Sequence, residues 1–232
     1  MNKSSVLFHS LFIFLGLVIY GKSFSEPLNL SILKNELIQY HDSGEYMKDV
    51  KTIFQQAQSY ITQQAKQSKS RKIALILDID ETCLSNYDDL IARDFMNDYQ
   101  RIHRDTLKAD ATPILPSLRL FNTAKKQHIH VFFISGRYEF ERKVTIKNLH
   151  HAGFNGWDGL LLQSNNQYGK KGTIENFKIA ARKEITKKGY TIIANIGDQP
   201  TDLSGGYARK TFKVPNPFYY SPSHFTANNK AA

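Results

Sequence analysis

Residues 72–86 read KIALILDIDETCLSN and combine a short apolar run with a group of acids. The run Ile73–Leu77 is unbroken, which predicts a strand buried on both faces of a parallel sheet. Asp78 and Asp80 follow it directly, and in an extended segment alternate side chains lie on the same face. The stretch therefore predicts two carboxylates at the carboxyl end of a central strand, where open α/β sheets bind ligands.

Asp78 and Asp80 need a partner, because two carboxylates held this close repel each other. A cation, a shared proton or a basic neighbour would relieve the repulsion, and a divalent metal is the first candidate. The alternative is an acidic turn that follows the strand and caps the next helix. Short motifs of this kind also occur by chance, so the rest of the chain has to decide between the two.

A second apolar run, HVFFI at residues 130–134, ends in Ser135 and Gly136. A hydroxyl followed by glycine at a strand end can offer an O–H group and unobstructed backbone N–H groups to a phosphate oxygen. An ordinary strand-to-helix turn with Ser135 as N-cap is the alternative. The pattern predicts a strand over residues 130–134 and a candidate phosphate site directly after it.

A further apolar run, IIANI at residues 192–196, also ends in acid. Gly197 and Asp198 follow it, and Asp202 stands four residues beyond Asp198. This spacing suits a metal ligand with a supporting carboxylate, in a loop that glycine and proline hold tightly. Because ligands of parallel sheets bind at the carboxyl ends of the strands, we expect Asp198 to lie near the first acid pair.

The length and composition fit one α/β domain. The chain has 232 residues, of which 41% are hydrophobic, and this is enough for a full core. We predict a doubly wound, mostly parallel sheet with helices on both faces, in a single domain at residues 26–225. Helical patterns predict an N-terminal cover at residues 27–68 and a small helical insert at about residues 86–111. Residues 226–232 are small and polar and predict a flexible tail.

The insert carries aromatic side chains and is expected to lean over the site. Tyr87, Phe95 and Tyr99 could stack against an aromatic or nucleobase leaving group. Equally, they could form the core of the insert. Both interpretations follow from their helical spacing.

Residues 1–25 have the pattern of a secretory signal peptide. Lys3 supplies the positive start, residues 6–20 are almost wholly apolar, and the small residues Ser23 and Ser25 precede the predicted cleavage site. The apolar core is short for a membrane span, although an uncleaved N-terminal anchor is the alternative. We therefore expect an exported protein, periplasmic or secreted, with no stable membrane anchor after cleavage.

Charge and cysteine content narrow the class of ligand. The formal net charge is +10, and removal of Lys3 and Lys22 with the signal peptide lowers it to +8. Such a charge can attract nucleic acid, a membrane surface or small phosphorylated anions. The basic residues are scattered, and the densest run, residues 66–72, has the pattern of a solvated helix end. The charge pattern therefore favours a small anion over a nucleic acid polymer as the ligand.

Cys83 is the only cysteine, so the chain has no internal disulfide.

The motifs, in this order, resemble those of the haloacid dehalogenase superfamily phosphatases, in which D-x-D-x-T follows the first strand. More closely, the sequence resembles the branch that holds bacterial class B and class C acid phosphatases, plant acid phosphatases and vegetative storage proteins. The resemblance extends over about residues 30–220. It rests on YHDSGEY, LDIDETCLSN, FFISGR, VTIKNLHHAGFNGWDGLLL, ENFKIAARKEI, GYTIIANIGDQPTDL and FKVPNPFYY.

The resemblance implies a two-step phosphatase chemistry. Asp78 would be the nucleophile that attacks phosphorus and forms an aspartyl-phosphate. Asp80 would protonate the leaving alkoxide and then take a proton from the hydrolytic water. Ser135 and the Gly136 amide would hold phosphoryl oxygens.

The resemblance also implies a magnesium ion. Its ligands would be the Asp78 carboxylate, the Asp80 backbone carbonyl and Asp198, a set that suits a hard cation. Asp202 would anchor this set from close by, and Thr82 would brace the loop.

A lysine would offset the charge of the phosphoryl group and orient the nucleophile. We assign Lys178, because FKIAAR matches the third-motif helix of the family and stands 20 residues before Asp198. Lys171 is the reserve.

The expected function is that of an exported, magnesium-dependent acid phosphatase acting on small phosphomonoesters, with nucleoside monophosphates as first candidates. The rivals are a phosphoacceptor domain of the receiver type and a non-enzymatic storage or ligand-binding protein. A signal peptide and an acid/base residue at Asp80 argue against a receiver. Some storage relatives lack the nucleophile, whereas Asp78 is present here. The sequence leaves open phosphotransfer to an alcohol and a homodimer.

Overall fold

The structure is a computed structural model that describes residues 26–68, 72–168, 170 and 173–221. The predicted signal peptide, the predicted tail and Lys171 lie outside the described residues. Within the described part of the chain, no helix has both the length and the apolar character needed to span a bilayer. The helices are α1 (Leu30–Asp42), α2 (Glu45–Gln67), α3 (Tyr87–Ala92), α4 (Tyr99–Lys108), α5 (Leu115–Lys126), α6 (Arg142–His151), α7 (Thr173–Lys187) and α8 (Pro200–Leu203). The strands are β1 (Ile73–Leu77), β2 (Leu84–Ser85), β3 (Thr112–Pro113), β4 (His130–Tyr138), β5 (Gly159–Gln163), β6 (Thr191–Gly197) and β7 (Lys210–Lys213).

A five-stranded parallel sheet with the order β5-β4-β1-β6-β7 forms the centre of the molecule. β1 is the middle strand, and its last residue, Leu77, lies opposite Phe133 of β4 and Ile196 of β6. The carboxyl ends of these three strands therefore reach the same edge of the sheet. The prediction of a mostly parallel sheet built around residues 73–77 is confirmed.

Helices cover both faces of the sheet, as the apolar runs predict. Leu75 and Leu77 of β1 belong to the larger core, which also contains Phe54 of α2 and Phe121 of α5. The alternate residues of β1 face the other way and pack with α7. This second core contains Ala74, Ile76, Phe132, Ile134, Ala181, Ile185 and Ile192. The architecture is thus doubly wound, with α2 and α5 on one face and α7 on the other.

The N-terminal helices lie over the larger core. α2 buries five side chains at helical spacing on the sheet, whereas no side chain of α1 is fully buried. Leu37 and Tyr40 of α1 pack against the edge of the core. Gly44 joins the two helices with a φ of 84°, which favours glycine.

A short antiparallel strand pair connects the predicted insert to the rest of the domain. β2 and β3 pair antiparallel, with Leu84 opposite Pro113 and Ser85 opposite Thr112. α3 and α4 lie between them, and the Arg93 guanidinium joins these helices through a 2.8 Å ion pair to Asp105. The division of the chain into a cover, a domain and an insert stays a prediction.

β4 is longer and less regular than the sequence predicts. We expected the strand to end at Ile134, but it continues to Tyr138. Ile134 pairs with Leu161 and Tyr138 with Gln163, so β4 uses two more residues than β5 over this interval. The resulting bulge contains residues 135–137, and bulges of this kind redirect side chains beside active sites.

Candidate active site

Acids from two loops meet at the carboxyl edge of the sheet. Asp78 follows β1, Asp198 follows β6, and Asp202 lies on α8. All three are buried, and each offers a carboxylate oxygen within 4.8 Å of the others. The structure therefore brings together Asp78 and Asp198, as predicted, and places Asp202 in the same group.

Lys178 of α7 lies between two of these acids. Its ammonium donates to Asp78 Oδ1 at 2.6 Å and also contacts Asp202 Oδ1. Burial would lower the pKa of Lys178, but attraction to Asp202 and Asp78 raises it above its usual value, so the ammonium stays charged. Among the described residues, no hydrogen-bond donor contacts Asp78 Oδ2. The Lys178 ammonium therefore holds Oδ1 of Asp78, and Oδ2 is left for a ligand.

The three acids carry more negative charge than Lys178 neutralises. Burial is the main cause that raises the pKa of Asp78. Attraction to Lys178 opposes this rise, and repulsion from Asp202, Asp198 and Asp80 adds to it. Burial, followed by repulsion from Asp202, likewise raises the pKa of Asp198. Buried carboxylate oxygens with an uncompensated charge are the donor set of a hard divalent cation. The residues present therefore fit a divalent metal site.

Asp80 has a different environment from Asp78. Its side chain is 30% exposed and is not part of the buried acid group. Arg137 Nη2 donates to Asp80 Oδ1 at 2.6 Å, and Nε donates to Oδ2 at 3.0 Å. Asn86 Nδ2 adds a bond to Oδ1 at 3.0 Å. The predicted metal ligand at this position is the backbone carbonyl, and that assignment stays a prediction.

Arg137 is a site residue that the sequence did not reveal. It follows Ser135 and Gly136 in the β4 bulge, and its side chain is buried. Burial would raise the pKa of Asp80, but attraction and hydrogen bonds from Arg137 outweigh it and lower the pKa below its usual value. The available signal was its place in FFISGR, directly after the two predicted phosphate-binding residues.

Ser135 and Gly136 occupy the start of the bulge. Ser135 is fully buried, and its Oγ accepts a hydrogen bond from the Arg137 backbone N–H at 3.2 Å. This accepting role leaves the hydroxyl proton available to a ligand. The Gly136 carbonyl accepts from Gln163 Nε2 at 2.7 Å, which holds the peptide in place. The predicted phosphate-binding role of both residues stays a prediction.

Both carboxylate oxygens of Asp198 accept hydrogen bonds from neighbouring side chains. Thr82 Oγ1 donates to Oδ1 at 3.0 Å. The loop-bracing role that the resemblance implies for Thr82 stays a prediction. Gln199 Nε2 and Asn216 Nδ2 donate to Oδ2 at 2.6 and 2.7 Å. Neither Gln199 nor Asn216 was singled out from the sequence, because neither belongs to a periodic pattern or an acid motif.

Glu81 is a buried acid with an unusual backbone. Its φ is 54°, a left-handed conformation that is uncommon outside glycine. Its carboxylate accepts from the Tyr219 hydroxyl at 2.6 Å and from the Asn86 backbone N–H at 2.8 Å. Burial, with repulsion from Asp80 and Asp198, raises the pKa of Glu81 to about 8. These bonds hold the acid loop in its left-handed turn.

Gly197 and Asp202 are in contact beneath the site. A Cβ atom at Gly197 would lie 2.4 Å from the Asp202 side chain, which is far inside any tolerated contact. Asp202 Oδ2 in turn accepts the Gln199 backbone N–H at 2.7 Å. Glycine at the end of β6 is therefore needed for space rather than for backbone freedom.

The insert aromatics separate into two groups. Tyr87 is buried and contacts Phe218, and Phe95 also packs against Phe218. These two side chains pack in the larger core of the domain, and not in a core of the insert alone as one of the two interpretations expected. Tyr99 is 38% exposed and lies edge-on to Tyr168. Of the three side chains, Tyr87 is buried, Phe95 is half-buried and Tyr99 is exposed.

Comparison with known proteins places this geometry in a family. The family model described as HAD superfamily, subfamily IIIB (Acid phosphatase) matches residues 29–222. Acid phosphatase 1 from Solanum lycopersicum is 37% identical over 151 residues, which cover 62% of this chain and 58% of that protein. Vegetative storage protein 1 from Arabidopsis thaliana is 34% identical over 185 residues, covering 78% of this chain and 67% of that protein.

A solved structure supports the fold. The class C acid phosphatase from Bacillus anthracis superimposes with a TM-score of 0.66 at 22% identity, covering 82% of this chain and 87% of that one. The match to the Solanum lycopersicum enzyme spans less than two thirds of that relative. The family model, by contrast, covers the sheet, the acid loops and Lys178 together. The chain therefore belongs to the acid phosphatases of the haloacid dehalogenase superfamily, subfamily IIIB.

Proposed function

We propose that the protein hydrolyses small phosphomonoesters through a covalent aspartyl-phosphate on Asp78. The observation that carries the proposal is the placement of this one carboxylate. Lys178 holds Oδ1 at 2.6 Å, and Oδ2 has no donor among the described residues. A carboxylate fixed at one oxygen and free at the other is oriented for attack on phosphorus.

In the first step, Asp78 Oδ2 forms a bond to phosphorus and the ester P–O bond breaks. The electron pair of that bond goes to the leaving oxygen, which takes a proton from the acid form of Asp80. Because Arg137 lowers the pKa of Asp80, this acid form is the minor one near neutral pH and becomes more abundant as the pH falls. The products are an alcohol and the phosphorylated Asp78.

In the second step, Asp80 takes a proton from water, and the water oxygen attacks phosphorus. The bond between phosphorus and Asp78 breaks, which releases inorganic phosphate and regenerates the carboxylate. Arg137 holds Asp80 by both of its oxygens and so fixes the position from which both proton transfers occur.

Three groups would bind the phosphoryl oxygens during these steps. They are the Ser135 hydroxyl, the Gly136 amide and the Lys178 ammonium. Because Lys178 is buried and charged, it stabilises negative charge more strongly than a solvated lysine would.

We propose Mg²⁺ as the cation, bound by Asp78, Asp198 and the Asp80 backbone carbonyl, with Asp202 close by. When bound, it would offset the charge of the phosphoryl oxygens and polarise phosphorus. The buried group of carboxylates supports a divalent cation, and its hard oxygen donors suit Mg²⁺.

Nucleoside monophosphates are the first substrates to examine. Tyr99 is half-exposed next to Tyr168, and Phe140 packs on the same Tyr168 ring. An aromatic leaving group could stack on these rings. We also keep as proposals that the protein is exported, that it acts on small esters rather than nucleic acid polymers, and that it forms a homodimer.

Storage without catalysis is the second candidate function. The similarity to vegetative storage proteins supports it, whereas the presence of Asp78 supports an enzyme. Phosphotransfer to an alcohol would use the same phosphorylated Asp78 and differ only in the second step.

Turnover of p-nitrophenyl phosphate tests the proposal. We expect steady hydrolysis with Mg²⁺ that stops on chelation, and no turnover by Asp78→Asn. Asp88→Asn, at an exposed acid of α3, is the control and should keep full activity. Tungstate, which is bound in a structure of the Bacillus anthracis enzyme, should inhibit competitively. A folded protein that shows no turnover of any phosphomonoester would support storage instead.

A further inference from the structure

The last described segment of the chain lies across both acid loops. We call residues 216–221 the C-terminal strap. Asn216 contacts Asp198 after β6, and the Tyr219 hydroxyl donates to Glu81 Oε2 after β1 at 2.6 Å. The strap therefore joins the loops that carry the proposed metal ligands, although it supplies no carboxylate of its own.

Asn216 is held in a defined orientation. Its Oδ1 accepts the Phe218 backbone N–H at 2.9 Å, so the opposite side of the amide, Nδ2, faces Asp198. Nδ2 lies 2.7 Å from Asp198 Oδ2. The amide oxygen accepts a hydrogen bond and the amide nitrogen donates one. Turning the amide by half a rotation would therefore lose both hydrogen bonds.

The strap also orients the second donor to Asp198. The Ser221 backbone N–H donates to Gln199 Oε1 at 2.7 Å. The Gln199 amide is thereby turned so that Nε2 donates to Asp198 Oδ2 at 2.6 Å. Both hydrogen bonds to Oδ2 depend on the strap.

The two oxygens of Asp198 are consequently not equivalent. A carboxylate oxygen has two in-plane lone-pair directions. Oδ2 accepts two hydrogen bonds, from Asn216 and Gln199, whereas Oδ1 accepts one among the described residues, from Thr82. Oδ1 alone keeps a lone pair for a cation.

We propose that Asn216 is a positioning residue that restricts Asp198 to binding a cation through Oδ1 alone and so favours Mg²⁺ over Ca²⁺. Mg²⁺ is small and requires near-octahedral geometry with single oxygen contacts, whereas Ca²⁺ accepts more ligands and often both oxygens of one carboxylate. Loss of the Asn216 amide would free a lone pair on Oδ2 and allow the two-oxygen contact. The inference rests on the divalent metal site of the proposed function.

Two substitutions remove the contact in different ways. Asn216→Ala removes both the donor to Asp198 and the acceptor for the Phe218 N–H. Asn216→Ser keeps an oxygen that can accept the Phe218 N–H but is too short to reach Asp198, so it preserves the turn of the strap. Asn155→Ala is the matched control, because Asn155 is an exposed asparagine whose amide bonds to the Gly153 carbonyl.

Calorimetric titration of the full chain with MgCl₂ and separately with CaCl₂ measures the preference without using activity. We expect roughly a 10-fold loss of Mg²⁺ affinity in both Asn216 variants, the range in which residues behind metal ligands act. Ca²⁺ affinity should fall less or rise, so the ratio of the two dissociation constants moves toward Ca²⁺. Asn155→Ala should match the wild type for both ions.

The outcomes separate this inference from the proposed function. If the wild type binds neither ion, the metal site itself is wrong. If the wild type prefers Mg²⁺ and a folded Asn216→Ser keeps the same ratio, the role of Asn216 is wrong while the metal site stands. Equal losses for both ions would also overturn it, since they would show that Asn216 acts only on the general order of the loop.

Discussion

Arg137 contacts both carboxylate oxygens of Asp80, with Nη2 2.6 Å from Oδ1 and Nε 3.0 Å from Oδ2. This two-point contact sets the direction in which Asp80 faces the substrate. Arg137→Met should therefore lower kcat/KM most for esters whose leaving group needs a proton. We expect about a 10²-fold loss with an alkyl phosphate, the size of effect that misplacement of a catalytic group produces. With p-nitrophenyl phosphate, whose phenolate leaves unprotonated, the loss should be smaller.

Steady-state kinetics on the two substrates measure this difference. Arg142→Met is the control, because the Arg142 guanidinium pairs with Glu139 on the surface rather than with a site residue. Equal losses on the alkyl and aryl esters would show that Arg137 acts on binding and not through Asp80.

Lys178 separates two buried acids, and its removal should leave their repulsion uncompensated. For Lys178→Met we expect the free energy of unfolding to fall by about 3 kcal/mol at pH 7, as when one partner of a buried ion pair is lost. The pKa of Asp78 is already raised, so its carboxyl gains a proton more readily in the folded state than in the unfolded one. The loss should therefore shrink as the pH falls from 7 to 5.

Urea unfolding of the wild type and the variant at both pH values measures the effect. Lys183→Met is the matched control, at an exposed position of the same helix. A Lys178→Met protein that is equally destabilised at pH 5 and pH 7 would contradict the electrostatic explanation.

Gly197 provides the space that Asp202 occupies. In Gly197→Ala the new Cβ would meet the Asp202 side chain at 2.4 Å, so Asp202 has to move or the strand end has to distort. We expect both a lower melting temperature and a smaller increase of that temperature on addition of Mg²⁺. Overpacking of this kind costs about 1–3 kcal/mol.

Gly44→Ala serves as the control for Gly197→Ala. Gly44 has a φ of 84° and nothing within 4 Å of an added Cβ, so alanine there costs backbone strain but causes no collision. It should lower the melting temperature and leave the Mg²⁺-induced increase unchanged. An unchanged increase in Gly197→Ala as well would mean that Asp202 does not contribute to the metal site.

Asp158 is a partly buried acid directly before β5, at the amino-terminal edge of the sheet, whereas the acid loops lie at the carboxyl-terminal edge. Burial would raise its pKa, but hydrogen bonds from His130, the Val131 backbone and Lys125 lower it below the usual value. A lowered folded-state pKa stabilises the protein at pH values above the pKa of the unfolded state, and this stabilisation disappears as the pH falls through the folded-state pKa. Asp158→Asn should therefore lower the unfolding free energy by roughly 1 kcal/mol near pH 7.

The difference between Asp158→Asn and the wild type should diminish as the pH falls from 5 to 3. Urea titrations at intervals of half a pH unit measure it. A difference that stays constant over this range would assign the effect to packing rather than to the charge of Asp158.

The sheet was predictable because its strands are continuous apolar runs. Residues 73–77 are buried on both faces, as a short unbroken apolar run predicts for a central parallel strand. β7 (Lys210–Lys213), at the edge of the sheet, buries only Phe212 and has no such run. The length of β4 was not predictable, because the bulge depends on pairing with β5 and leaves no periodic signal.

The acid group was predictable from its motifs, but the residues that hold it were not. Asp78, Asp198 and Lys178 meet as expected. Arg137 and Asn216 act through tertiary contacts that join segments far apart in the chain. Such contacts leave no spacing rule in a single sequence.

The antiparallel pairing of β2 with β3 has an architectural consequence. The chain departs from the domain at Ser85 and returns at Thr112, two residues that face each other. The intervening segment begins and ends at the same point of the domain. A longer or shorter segment would therefore change the loop-closure entropy of the chain only slightly and would not disturb the sheet. Evolution or engineering can thus vary the part of this segment that lies beyond Phe95 and so change what approaches the acid loops, while Tyr87 and Phe95 keep their packing against Phe218.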